Sequence, residues 1–198
     1  MARSKMKDGE KTELTGPDDD AARADILTER TRMRRHTIGD FDASAALWGD
    51  PEIARHISGK PSTRSESWAR LLRYIGHWQA LSFGYWVVED RATGGFFGEV
   101  GLADYKRDMT PSLGPWPEIG WAMATHAQGR GLATEAVAAA LGWSDRWLPA
   151  DRTVCIIAPD HDASIRVAKR NGFAERGRGQ FGSENSPVLI MERFKPGI

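Results

Sequence analysis

The sequence predicts one α/β domain in which a mixed sheet carries helices on its faces. Three observations predict it. Apolar residues recur at helical spacing from Ser62 to Leu81, then switch to the two-residue alternation of strands from Gly84. A strand over Glu118–Ala124 runs into a glycine-bearing loop and an alanine-rich helix. The elements as a whole read strand, helices, three strands, helix, strand, helix, two strands, a sheet of about seven strands. The 198 residues suit one domain with a sizeable core.

Residues 1–25 read as a flexible tail, because they are charged and nearly free of large apolar side chains. The domain proper is placed at 26–198. Ile26–Arg35 is expected as a strand, Asp40–Trp48 as a short helix, and Pro51 as the first residue of another turn. Thr63 and Glu66 have capping-box spacing for a helix whose apolar face holds Trp68, Leu71, Leu72, Ile75 and Trp78. Gly84–Glu89 and Phe96–Ala103 form a hairpin through Ala92-Thr93-Gly94-Gly95. Asp104–Pro117, with three prolines, is expected as a loop. After the Glu118–Ala124 strand come a helix over Leu132–Trp147, a strand over Thr153–Ala158 and a helix over Ala163–Asn171 that stops at Gly172. Phe173–Phe181 and Val188–Phe194 close the chain as strands. Trp68, Trp78 and Trp143 are assigned to the core; Trp48 and Trp116 are candidates for an acceptor pocket, with Trp86 better placed in the core.

Composition excludes several classes. Lys+Arg and Asp+Glu both number 27, a balance that argues against nucleic-acid binding. The single cysteine, Cys155, excludes a disulfide framework and is read as a small buried hydrophobe. No apolar run reaches the ~18 residues of a membrane helix, and the N-terminus lacks a secretory pattern, so a cytoplasmic protein is expected. His56, His77 and His126 lack ligand spacing, and no metal is expected. A homodimer is the commonest assembly by default.

Gln128-Gly129-Arg130-Gly131-Leu132-Ala133-Thr134 is the most informative segment. The first N–H groups of a helix have no intrahelical partner, and its dipole favours an anion there. Gly129 and Gly131 allow close backbone approach, and Arg130 adds a cation. A phosphate or pyrophosphate is the natural guest; an ordinary loop-to-helix junction is the competing reading. A Walker A loop and a GxGxxG fingerprint are both absent.

Gln128 to Ala133 is similar to the Q/R-x-x-G-x-G/A loop of the GNAT superfamily of acyl-CoA-dependent N-acyltransferases. His161 to Phe173 resembles the N-x-x-S…GF segment of the branch that acetylates ribosomal-protein N-termini, with His161 at the asparagine position, Ser164 at the serine and Ala168 where many members carry a tyrosine acid. The resemblance implies a single, mostly antiparallel mixed-sheet domain and transfer of acetyl from acetyl-CoA to a primary amine, either a protein N-terminus or a small molecule. It also implies a CoA arm lying between two splayed strands. Backbone groups of Trp121, Ala122 and Met123 would hold its amides, Gln128 to Thr134 its pyrophosphate, and His161 and Ser164 would contact it further along.

The transfer needs an amine freed of its proton and a stabilised thiolate. Two strand carboxylates are candidate bases. Glu118 shares a face with Gly120 and Ala122, read as the floor of an open cleft. Glu99 shares one with Phe97 and Gly101, where apolar walls would raise its pKa. His126 is a third candidate, and Ser164 is the candidate acid. Solvated glutamates and a helix-start serine are the plainer readings. A CoA-binding sensor without turnover is the alternative function.

Overall fold

The computed structural model describes residues 25–182 and 185–197; apart from Asp25, the expected tail lies outside the described residues. The chain forms β1 (Ile26–Leu27), β2 (Thr31–Arg35), α1 (Phe41–Gly49), α2 (Pro51–Ala54), α3 (Arg64–Leu81), β3 (Tyr85–Asp90), β4 (Phe96–Ala103), β5 (Met109–Thr110), β6 (Glu118–Met123), α4 (Leu132–Trp147), β7 (Arg152–Ile157), α5 (Asp162–Arg170), β8 (Ala174–Phe181) and β9 (Ser186–Phe194). One sheet joins all strands in the order β1-β2-β3-β4-β6-β7-β9-β8-β5. Every neighbouring pair is antiparallel except β6 and β7.

Among the described residues the sheet therefore has nine strands rather than about seven. The expected first strand is broken by a turn in which Thr28 N–H donates to the Thr31 carbonyl at 2.9 Å, separating β1 from β2. Within the proline-bearing loop, Met109 and Thr110 pair with Phe181 and Gln180 and add β5 at the sheet's edge.

One face of the sheet carries Met33, Trp86, Val100, Leu102, Ile119 and Cys155, all buried in one cluster with residues of α4 and α5. Trp86 meets Trp78 and Trp143 edge-on at 5.0 and 5.4 Å between ring centroids, locking β3 to α3 and α4. On the other face Ala122 of β6 packs with Leu47 and Trp48 of α1 and Ile53 of α2, and Tyr85 of β3 stacks on Tyr74 of α3. The capping box at Thr63 and Glu66 forms as expected: Thr63 N–H donates to Glu66 at 2.7 Å and Glu66 N–H to the Thr63 hydroxyl at 3.2 Å. The buried face of α3 is Ser67, Leu71, Tyr74 and Trp78. Trp68 and Leu72, expected on that face, are 39% and 46% exposed. The helix is turned because Tyr74 stacks flat on Tyr85, 4.2 Å away, while Trp68 instead packs on Phe41.

Candidate active site

Strand β6 has two different edges. Six consecutive residue pairs join it to β4, from Glu118–Ala103 to Met123–Gly98. On the other side only Glu118 pairs with β7, opposite Val154. Backbone polar groups alternate along a strand. Ala124 N–H donates to Phe97 on the β4 side, and the Pro117 carbonyl accepts from Val154 on the β7 side, so even positions face β4 and odd positions face β7. Beyond the single pair, Trp121 and Met123 thus turn their backbone toward a wedge between β6 and β7. The Met123 carbonyl accepts from the Gln128 side chain at 3.0 Å, which ties the loop to the strand end.

The wedge leads to the N-terminus of α4. Gly129 and Gly131 both have left-handed backbones, with φ of 72° and 76°. A Cβ on Gly129 would meet nothing within 4 Å, so the space above the loop is open. Gly131 is the N-cap and gives no side-chain cap, which leaves the first N–H groups of α4 free for an anion. The Leu132 side chain is buried, so this residue offers its backbone alone, while Ala133 and Thr134 are half-buried. The exposed Arg130 guanidinium lies 5.1 Å from the Phe97 ring. These features suit the pyrophosphate of CoA.

The two carboxylates lie on one sheet face, but neither is free. Glu99 is fully buried; Trp48 Nε1 donates to one oxygen at 2.7 Å and His36 Nε2 lies 3.2 Å from the other. Burial pushes its carboxyl up, but contacts with His36 and Trp48 outweigh burial and hold it below the ordinary value. The expectation of a raised pKa is therefore corrected: the neighbours of Glu99 are polar donors rather than apolar walls. Glu118 is also buried, and Arg107 grips both its oxygens, at 2.5 and 2.7 Å. The small-residue face of β6 is not an open floor either. The Tyr85 hydroxyl fills the place where a Gly120 Cβ would be, and Ala122 packs with Leu47, Trp48 and Ile53. Trp48 is accordingly core and a hydrogen-bond donor. His126 is exposed, with Nε2 3.0 Å from the Phe96 carbonyl oxygen. Cys155 is buried, and burial pushes its thiol up.

His161 and Ser164 stand together at the start of α5, with His161 Nε2 3.5 Å from the Ser164 hydroxyl. The His161 ring stacks on His56 at 4.4 Å and 11°.

A family model described as an acetyltransferase (GNAT) domain matches residues 30–174. The chain belongs to the GNAT acetyltransferases. It is 28% identical over 178 residues to the uncharacterized protein YkkB of Bacillus subtilis, covering 87% of this chain and 96% of that one. A GnaT-family acetyltransferase from Bordetella pertussis is 30% identical with a TM-score of 0.73, covering 85% of this chain and 98% of that one. Two more distant structures share the GNAT fold. Spermidine N-acetyltransferase from Vibrio cholerae, in complex with CoA and spermine, is 19% identical with a TM-score of 0.67, over 85% of this chain and 97% of that one. Ribosomal-protein-S5-alanine acetyltransferase from Vibrio fischeri is 17% identical with a TM-score of 0.68, over 87% and 97%.

Within this GNAT domain, four residues with no role expected from the sequence border the candidate site. Glu135, in the first turn of α4, accepts from Thr28 Oγ1 at 2.6 Å, Arg30 N–H at 2.9 Å and Arg30 Nε at 2.7 Å, pinning the β1–β2 turn beside the cradle. Arg30 then donates to the Arg130 carbonyl at 2.8 Å and sets a second cation there. Arg107 is the third. Arg30 and Glu135 have no local signal, since their contact spans 105 residues, and Arg107 reaches Glu118 from within the proline-bearing loop, 11 residues away. The fourth, His56, shows nothing in the sequence beyond its lack of metal-ligand spacing. Among the described residues no helix is long and apolar enough to cross a membrane.

Proposed function

We propose that this protein transfers an acetyl group from acetyl-CoA directly to a primary amine. The observation that carries the reading is the continuity of the β6–β7 wedge with an uncapped helix N-terminus flanked by Gly129 and Gly131. Trp121 and Met123 offer backbone groups along the wedge, where strand-like pairing would hold the amides of the CoA arm. Residues Gln128 to Thr134, with Arg130 and Arg30, would hold the pyrophosphate. A backbone N–H of the wedge would polarise the thioester carbonyl, and the Ser164 hydroxyl would assist the leaving thiolate.

The acceptor is an amine of either a small molecule or a protein N-terminus. The spermidine and ribosomal-protein enzymes that share the fold are named for one acceptor of each kind. Incubation with acetyl-CoA and a panel of polyamines, aminoglycosides and N-terminal peptides, with free thiol as readout, tests the proposal. Thiol release that depends on one amine class supports it. CoA binding without release for any amine supports a sensor instead.

A further inference from the structure

The carboxylates expected to take the amine proton are both fully engaged, so the proton needs another acceptor near the wedge. Segment 50–57 crosses the wedge. On the β6 side, Ile53 packs with Ala122, and Asp50 accepts from Thr125 at 3.0 Å. On the β7 side, His56 lies flat on His161 with centroids 4.4 Å apart. His56 Nδ1 is 3.5 Å from Asp160, and His161 Nε2 is 3.5 Å from the Ser164 hydroxyl. Two imidazoles, a hydroxyl and a carboxylate thus converge where the segment meets the start of α5.

We propose that His161 accepts the proton of the incoming amine, and that His56, stacked on it across the wedge, is its positioning residue. The inference rests on the acetyltransfer reading. The amine nitrogen bonds to the thioester carbonyl carbon and gives one proton to His161. The carbon–sulfur bond breaks with its electron pair on sulfur. The thiolate then regains that proton from His161 through the Ser164 hydroxyl. An amide and a thiol leave, and His161 ends neutral, ready for the next amine.

The surroundings keep His161 in the form this role needs. Burial lowers its pKa, and the neighbouring His56 lowers it further; Asp160 and Asp162 raise it and Arg55 lowers it, leaving it below the ordinary value. The ring is therefore neutral at neutral pH and becomes protonated, and incompetent as a base, as pH falls.

The test combines three measurements on wild type, His161→Asn, His56→Gln and Glu118→Gln. Calorimetry gives CoA affinity, histidine proton resonances give the titration midpoint of His161 in the free protein, and kcat is followed over pH 6–9 with one acceptor common to all variants. His161→Asn, which carries the asparagine of the resembling branch, is expected to lose about 100-fold in kcat at saturating acetyl-CoA, calorimetry setting the saturating concentration for each variant. His56→Gln is expected to raise the His161 midpoint toward about 6.5 and to move the acid limb of kcat by the same amount. Turnover in His161→Asn within about threefold of wild type overturns the proposal, as does a midpoint that moves without the acid limb. A 100-fold loss in Glu118→Gln beside an active His161→Asn assigns the proton to Glu118 instead. Wild type that fails to bind CoA, or binds it without thiol release, overturns the acetyltransfer reading itself. His161→Gln repeats the test should His161→Asn lose CoA binding through misfolding.

Discussion

The two edges of β6 are built from the same six residues and do opposite things. Toward β4 the strand is zipped over its whole length, and the face above that seam holds Glu99, buried and ionised between His36 and Trp48. Toward β7 the ladder stops after the Glu118–Val154 pair, and backbone without a strand partner then leads to two left-handed glycines. Charge placed in the zipped half serves the fold. Open backbone in the splayed half is what the proposed CoA arm would pair with. The difference teaches that a strand carboxylate near a cleft is not thereby a base: its partners decide.

Removing the Glu99 side chain should produce the largest effect and confine it to stability. Glu99→Ala leaves the Trp48 N–H and His36 without their partner in a buried site, a loss of about 3–5 kcal/mol, or roughly 6–20 °C in Tm at this chain length. Thermal unfolding reads it. The same carboxylate gives a pH signature. Its folded pKa lies below the ordinary value, so it stabilises the protein above the unfolded value, and this contribution is lost as pH falls through the folded one. Glu99→Gln should flatten the acid limb of the stability profile; a limb unchanged in that variant would detach Glu99 from the fold's acid sensitivity.

The splayed half should respond in binding rather than stability. Gly131→Val meets only the Arg30 guanidinium, 3.6 Å from its Cβ, but is forced into a left-handed backbone. The strain costs about 1–3 kcal/mol and distorts the cradle, so calorimetric CoA affinity should fall at least about tenfold with a smaller change in Tm than Glu99→Ala. Affinity within twofold of wild type would remove Gly131 from the site. Arg30→Ala should have the smallest effect, a loss of about threefold to tenfold in CoA affinity that shrinks with added salt, because its guanidinium is half-exposed.

Much of this arrangement is legible in the sequence. Helix α3 can be read from its capping box, and the α4 cradle from two glycines before an alanine-rich helix, because both signals are local. The broken first strand and β5 are hidden because each depends on pairing: Thr28 with Thr31 around a turn, and Met109 with Phe181 across 72 residues. The exposed face of α3 is misjudged because the stacking of Tyr74 on Tyr85 sets its rotation, and no periodicity encodes that contact. The candidate site divides the same way. Gln128 to Thr134 can be read from the chain, and the His161–Ser164 spacing from a motif. The engagement of Glu99 by Trp48 and of Glu118 by Arg107, and the meeting of His56 with His161, exist only in three dimensions.

Residue-resolved amide hydrogen exchange along β6, with and without saturating CoA, tests the two-edged strand most directly. Gly120 and Ala122, facing β4, should be protected in both states. Trp121 and Met123, facing the wedge, should exchange rapidly in the free protein and become protected by at least about tenfold when CoA pairs with them. Trp121 and Met123 protected equally with and without CoA, or left fast at saturation, would contradict the wedge as the seat of the CoA arm.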